Sequence, residues 1–216
     1  MMRWMSPQRL NRREMLHRCA SSGLLLASGA LPLSLAETFA QTESNLNRKP
    51  TPPNEIGPFY RRGAPANSNL RLPNDPGFPL KVEGIVVDAR GEVRPDAVVE
   101  VWQANHRGKY DLETYRYRAV LETNSKGAYG FESVLPGHYS DRVAQHIHYL
   151  VRAPGCRPLV TQLYFATDPA FEGDPDRNYT RDPLVLSREL VRPVILSNDP
   201  AGVVAQVRFE ICLERL

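Results

Sequence analysis

The pair His146 and His148, in the run QHIHYLV, carries the first clear chemistry of this sequence. A strand alternates its side chains, so both imidazoles project from one face while Ile147 and Tyr149 project from the other. Their Cα atoms would stand about 6.8 Å apart, close enough for two rings to reach one metal ion. The alternative is a pair on a solvated sheet face, so other residues must decide. His106 and His138 are the further histidines outside the N-terminal leader, and either would complete a three-histidine zinc or copper site. A site completed by a Glu shortly after the second His is excluded, because position 152 is Arg and the next acid is Asp168. No Asp or Glu stands two residues after a candidate His, which argues against a two-histidine, one-carboxylate iron site.

Tyrosine is the remaining donor. Tyr110 closes WQANHRGKY, and Tyr139 follows PGH, seven residues before His146. A phenol with a pKa of about 10 ionises at neutral pH only with strong help, which a ferric ion supplies through its charge. Nine tyrosines occur, and most will be half-buried aromatics with a wet hydroxyl, so composition does not select these two.

The elements that must position these residues read as strands. LKVEGIVVD (80–88), AVVEVWQA (97–104), RAVLETN, AYGFESVL (128–135), HIHYLVRA (146–153), PLVTQLYFA (158–166) and VVAQVRFEICLE (203–214) are short, apolar and separated by turn residues such as NSKG and PG. The last alternates through Val203, Ala205, Val207, Phe209, Ile211 and Leu213. This pattern predicts an all-β chain, a β-sandwich of about seven or eight short strands with long surface loops. Residues 80–216 form that domain, and the polar, Pro-rich segment 41–79 is expected to wrap its surface. Residues 167–200 read as loop, with room for a short helix in SRELVRPVIL.

Residues 1–40 read as an export signal: Arg12 and Arg13 precede a weakly apolar stretch from Ser21 to Ala36, with cleavage expected after Ala36 or Ala40. The paired arginines resemble a twin-arginine signal, which predicts a folded, exported and periplasmic protein. Of 27 basic and 24 acidic residues, five and two lie in this leader, leaving 22 of each. The basicity therefore belongs to the leader, and nucleic-acid binding has no electrostatic support. No apolar run is long enough to span a membrane. Cys156 and Cys212 remain after cleavage, either joined in a disulfide or as two buried thiols.

VEVWQANHRGKY, GAYGF, LPGHY, HIHY, TQLYF and the final VRFEICL occur in the order found in intradiol ring-cleavage dioxygenases, and the chain resembles that family from about Pro52 to Leu216. The protocatechuate 3,4-dioxygenase β-chain type is the nearest resemblance. It implies a β-sandwich with one non-haem Fe(III) per chain, held by Tyr110, Tyr139, His146 and His148. The substrates implied are a catechol and O2, and the product of cleavage between the two hydroxyl-bearing carbons is a muconate-type dicarboxylate. Gln162 is the implied pocket glutamine. Arg142 takes the role of the arginine that stabilises negative charge on the substrate, although Val143 holds the more usual spacing before the first histidine. From NEIGPFY, the resemblance implies substrate contacts at Gly57, Pro58 and Tyr60, with Glu55 where the family often has threonine. The runner-up is a metal-free, prealbumin-like β-sandwich binding module, which needs no His-x-His pair. The oligomeric state is left open.

Overall fold

The computed structural model describes residues 48–139, 142–200 and 202–216. The expected leader and its cleavage sites lie outside the described residues. Two five-stranded sheets face each other. The strands are β1 (Pro79–Asp88), β2 (Val98–Gln103), β3 (Arg118–Glu122), β4 (Ala128–Val134), β5 (His146–Arg152), β6 (Leu159–Phe165), β7 (Val191–Arg192), β8 (Ile195–Asp199), β9 (Gly202–Arg208) and β10 (Ile211–Leu213). One sheet runs β3-β2-β5-β6-β7; in the other, β1 lies between β4 and the β9/β10 pair, with β8 outside β9. Pairing is antiparallel except for β1 with β9 and β10, and β6 with β7.

The sandwich is the one the alternation predicted, with ten strands among the described residues. The long C-terminal run is two strands rather than one. Gly84 of β1 stands where this run breaks, and a Cβ there would lie 2.0 Å from the carbonyl oxygen of Phe209. The Phe209 N–H donates to Glu83 O at 2.9 Å and its carbonyl accepts from Tyr129 at 2.7 Å. The short helix expected in SRELVRPVIL reduces to one 3-10 turn, Arg188–Leu190, capped by the Ser187 side chain. Strands β7 and β8 follow it, because Pro193 cannot continue a helix. The NSKG turn forms as read: Asn124 Oδ1 accepts from Lys126 N and Ala128 N at 2.9 and 3.0 Å.

The core is aromatic where the sheets meet. Tyr149 of β5 packs on Phe209, Tyr129 and Phe131, with ring centroids 5.1, 6.3 and 6.5 Å apart. That fixes the inward face of β5 as Ile147, Tyr149 and Val151, and directs His146 and His148 to the other side. This outer side is not solvated. The segment from Arg48 crosses the domain through Thr51 N to Cys212 O and Asn54 N to Val160 O, each 2.9 Å, and continues over β5. His146 and His148 are consequently 2% and 1% exposed, which excludes the solvated pair. Cys156 and Cys212 are free, buried thiols rather than a disulfide. Among the described residues no helix is long and apolar enough to cross a membrane.

Candidate metal centre

Strand pairing builds half of the site. Trp102 lies opposite His148 and His148 opposite Gln162, while His146 lies opposite Tyr164. Directly opposed residues share a face, so these five side chains form two adjacent rows on the outer side of β2, β5 and β6. The Trp102 ring lies flat on His148, 5.0 Å between centroids and 2° between planes, which fixes the imidazole's tilt.

The tyrosines come from two loops locked together. Asn105 Oδ1 accepts from Arg107 N and Lys109 N at 2.9 and 3.0 Å, folding residues 105–109 into a tight turn that presents Tyr110. Gly137 N of the other loop donates to Asn105 O at 2.8 Å. A Cβ on Gly108 would stand 1.8 Å from His138 O, and one on Gly137 would stand 2.4 Å from His106 O. The glycines of RGKY and PGHY are therefore the contact that lets the loops approach and brings Tyr110 beside Tyr139.

All four side chains converge. The Tyr139 and Tyr110 hydroxyls lie 3.1 and 3.5 Å from His146 Nε2. His146 Nδ1 donates to Ala144 O at 2.8 Å, which places the lone pair on Nε2, facing the phenols. Both ring nitrogens of His148 are buried; the backbone of Glu55 is near enough to interact with the ring but not in good hydrogen-bonding geometry. Burial, then the nearby Arg142 charge, lowers the His146 pKa to about 4. Burial, then His146 and Arg142, takes His148 well below its ordinary value. Both rings are neutral at pH 7 and ready to act as donors. Burial raises the pKa of Tyr110 and of Tyr139, so these phenols ionise only beside a strong positive charge. Donor atoms about 2 Å from one ion lie roughly 3 Å apart, as the two tyrosine oxygens do from His146 Nε2. Two neutral imidazoles with two phenols suit a hard, highly charged cation.

The other histidines are engaged elsewhere. His138 Nε2 lies 3.1 Å from both oxygens of buried Asp168, and His106 Nε2 accepts from Arg107 Nε at 3.2 Å. Among the described residues no group of three His, Cys, Asp or Glu side chains is placed to hold a metal.

Arg142 sits where counting from Tyr139 places it. Its N–H donates to Tyr139 O at 2.9 Å, closing a turn, and its side chain is buried, whereas Val143 is 51% exposed. Arg142 Nη2 donates to Gln162 Oε1 at 2.9 Å and to the Tyr164 hydroxyl at 2.7 Å; Nε reaches Asp182 Oδ2 at 3.5 Å. Gln162 Nε2 donates to Glu55 O at 2.7 Å, binding this network to the segment above it.

That segment places the residues expected to contact substrate differently from one another. Gly57, at φ +68°, brings the backbone onto His148, and a Cβ there would be 3.0 Å from His148 Cε1. After the Gly57–Pro58 turn it is Phe59, not Tyr60, that meets the tyrosine pair. Phe59 stacks on Tyr110 at 4.2 Å and stands edge-on to Tyr139 at 6.1 Å. Tyr60 turns the other way, donating to Glu100 Oε2 at 3.0 Å and leaning on Trp102. Buried Arg118 fixes this arrangement, donating to Phe59 O at 2.6 Å and to Asp111 O at 3.1 Å. Sequence reading missed Phe59, Trp102, Tyr164 and Asp182. Tyr164 was accessible in principle, lying two residues after Gln162 on the same strand face.

The family profile described as Dioxygenase matches residues 56–215, which includes all four converging residues. The chain belongs to the intradiol ring-cleavage dioxygenase family. It is 36% identical over 160 residues to catechol 1,2-dioxygenase 2 of Acinetobacter lwoffii, a match covering 62% of this chain and 58% of that protein. It is 32% identical over 197 residues to a catechol 1,2-dioxygenase of Acinetobacter baylyi, covering 77% and 63%. The chain thus spans about three fifths of the length of these relatives, 58% and 63%. Among solved structures, the dioxygenase domain of a dioxygenase carbohydrate-binding protein fusion from Streptomyces sp. SirexAA-E gives a TM-score of 0.65 at 28% identity, covering 78% of this chain and 100% of that one. The residues matched to the intradiol motifs, Tyr110, Tyr139, His146 and His148, are the ones the fold brings together.

Proposed function

We propose that this chain is a non-haem Fe(III) dioxygenase that cleaves a catechol between its two hydroxyl-bearing carbons, consuming O2 and releasing a muconate-type dicarboxylate. The observation that carries this reading is the convergence of two phenols on His146 Nε2 beside the buried ring of His148. A metal-free binding module has no need to bury two imidazoles against two phenols.

Tyr110, Tyr139, His146 and His148 would hold the iron, which when bound supplies the Lewis acidity that ionises a catechol and opens its ring to dioxygen. The chain's residues do the rest. Tyr139 is half-buried and basic once ionised, because burial favours its protonated form, so its oxygen is suited to accept a proton from a catechol hydroxyl. Arg142 is preorganised by Gln162 and Tyr164 and is placed to stabilise negative charge as the ring loses aromaticity. Phe59, packed on both tyrosines, supplies an apolar wall for an aromatic ring and keeps water from the donors. The twin-arginine-like leader supports a periplasmic enzyme exported after folding.

The test is iron analysis and a visible spectrum of the purified chain, before and after anaerobic addition of catechol, followed by product analysis in air. About one iron per chain, a tyrosinate absorption band that shifts with catechol, and a ring-opened dicarboxylate are the expected results. A chain that stays colourless after ferric reconstitution refutes the reading.

A further inference from the structure

The guanidinium of Arg142 is held on two sides by residues far away in sequence. Asp182, in the long loop between β6 and β7, is 1% exposed. Its Oδ2 accepts from Arg142 Nε at 3.5 Å and from Ala144 N at 3.0 Å, and its Oδ1 accepts from Leu184 N at 2.9 Å. On the other side, the Tyr164 hydroxyl accepts from Arg142 Nη2 and from Asn54 Nδ2 at 3.2 Å, and donates to Gln162 Oε1 at 2.8 Å or Leu184 O at 3.1 Å. Arg142 is thus a buried cation with one buried carboxylate as counter-charge.

We propose that Asp182 is the positioning residue of Arg142: it neutralises the guanidinium at rest, and by also holding Ala144 N it fixes the short path from Arg142 to His146. This deepens the intradiol reading and rests on it for its kinetic consequence. With the carboxylate on Nε and with Gln162 and Tyr164 on Nη2, Nη1 is left to meet charge developing on a substrate. Placed bidentately on both Nη atoms, the same carboxylate would compete with substrate. The Nε contact makes Asp182 a support rather than a rival, and Tyr164 keeps the planar group from rotating out of line.

The experiment is a double-mutant cycle on the iron-loaded full chain with catechol as substrate: Asp182→Asn, Arg142→Gln and both together. Asp182→Asn is expected to lower kcat at least 10-fold while leaving iron content and the tyrosinate band unchanged. In the Arg142→Gln background the same substitution should cost less than threefold. An equal loss in both backgrounds, or no loss in either, overturns the proposal. If Asp182→Asn does not retain iron, Tyr164→Phe, which removes only the hydroxyl, replaces it in the cycle under the same criteria. A second readout needs neither iron nor turnover. In the metal-free chain Asp182→Asn strands a buried cation and should lower the unfolding midpoint, and adding Arg142→Gln should recover part of that loss. Absence of recovery overturns the pairing. Recovery in a chain that cleaves no catechol upholds the pairing while refuting the intradiol reading.

Discussion

Replacing Gly57 with alanine isolates how the N-terminal segment supports the metal centre. At φ +68° an alanine is in the left-handed region, which costs about 1–2 kcal/mol. Its Cβ would also stand 3.0 Å from His148 Cε1, inside the usual carbon–carbon separation of about 3.5–4.0 Å. His148 cannot yield easily, because Trp102 lies flat against it at 5.0 Å. Overpacking of this kind adds about 1–3 kcal/mol. Gly155 supplies the control: its φ is +70° and a Cβ there meets nothing within 4 Å. Gly155→Ala should carry the backbone cost alone. In thermal unfolding of the metal-free chain, Gly57→Ala should fall below Gly155→Ala by roughly 2–12 °C, the equivalent of about 1–3 kcal/mol in a domain of this size. Only Gly57→Ala should weaken iron retention against a chelator, since only it displaces a ligand ring. Equal midpoints for the two variants, with equal iron retention, would refute the argued contact with His148.

Two further outcomes follow from the same geometry. Phe59→Ala should raise KM for catechol, whereas Tyr60→Phe should leave KM within about twofold and cost roughly 1 kcal/mol of stability through the lost hydrogen bond to Glu100; steady-state kinetics and urea unfolding check both. In the metal-free chain His146, with its pKa lowered to about 4, binds its proton more readily when unfolded. Its contribution is therefore fully present above the unfolded value of about 6.5 and declines as pH falls toward 4, with a slope of up to about 1.4 kcal/mol per pH unit. Urea midpoints at pH 7.5, 6 and 5 should drop accordingly, and His146→Asn should flatten the slope.

The Asp182 and Asp168 contacts show where reading along the chain stops. Each carboxylate lies in a loop with no periodicity, and each meets its partners 23–40 positions earlier in the sequence. Nothing local in either loop indicates these contacts. By contrast, the NSKG turn at Asn124–Gly127 is closed by its own Asn side chain, which is why it could be read directly.

The sequence by itself determined the sandwich, because alternating apolar residues can bury only one face of each strand. Its motifs, in the order of the intradiol family, also pointed to Tyr110, Tyr139, His146 and His148 as the set that this resemblance implies. Only the tertiary structure decided what covers the second face of β5. A segment without regular structure, carried by Gly57 and fastened by Arg118, seals the histidines from water. The structure also decided that Phe59 rather than Tyr60 meets the cluster, and that Arg142 rather than Val143 turns inward. The physical reason is the same throughout. Periodicity reports the average environment along a regular element, whereas a side chain leaving a turn points wherever distant hydrogen bonds and packing hold it.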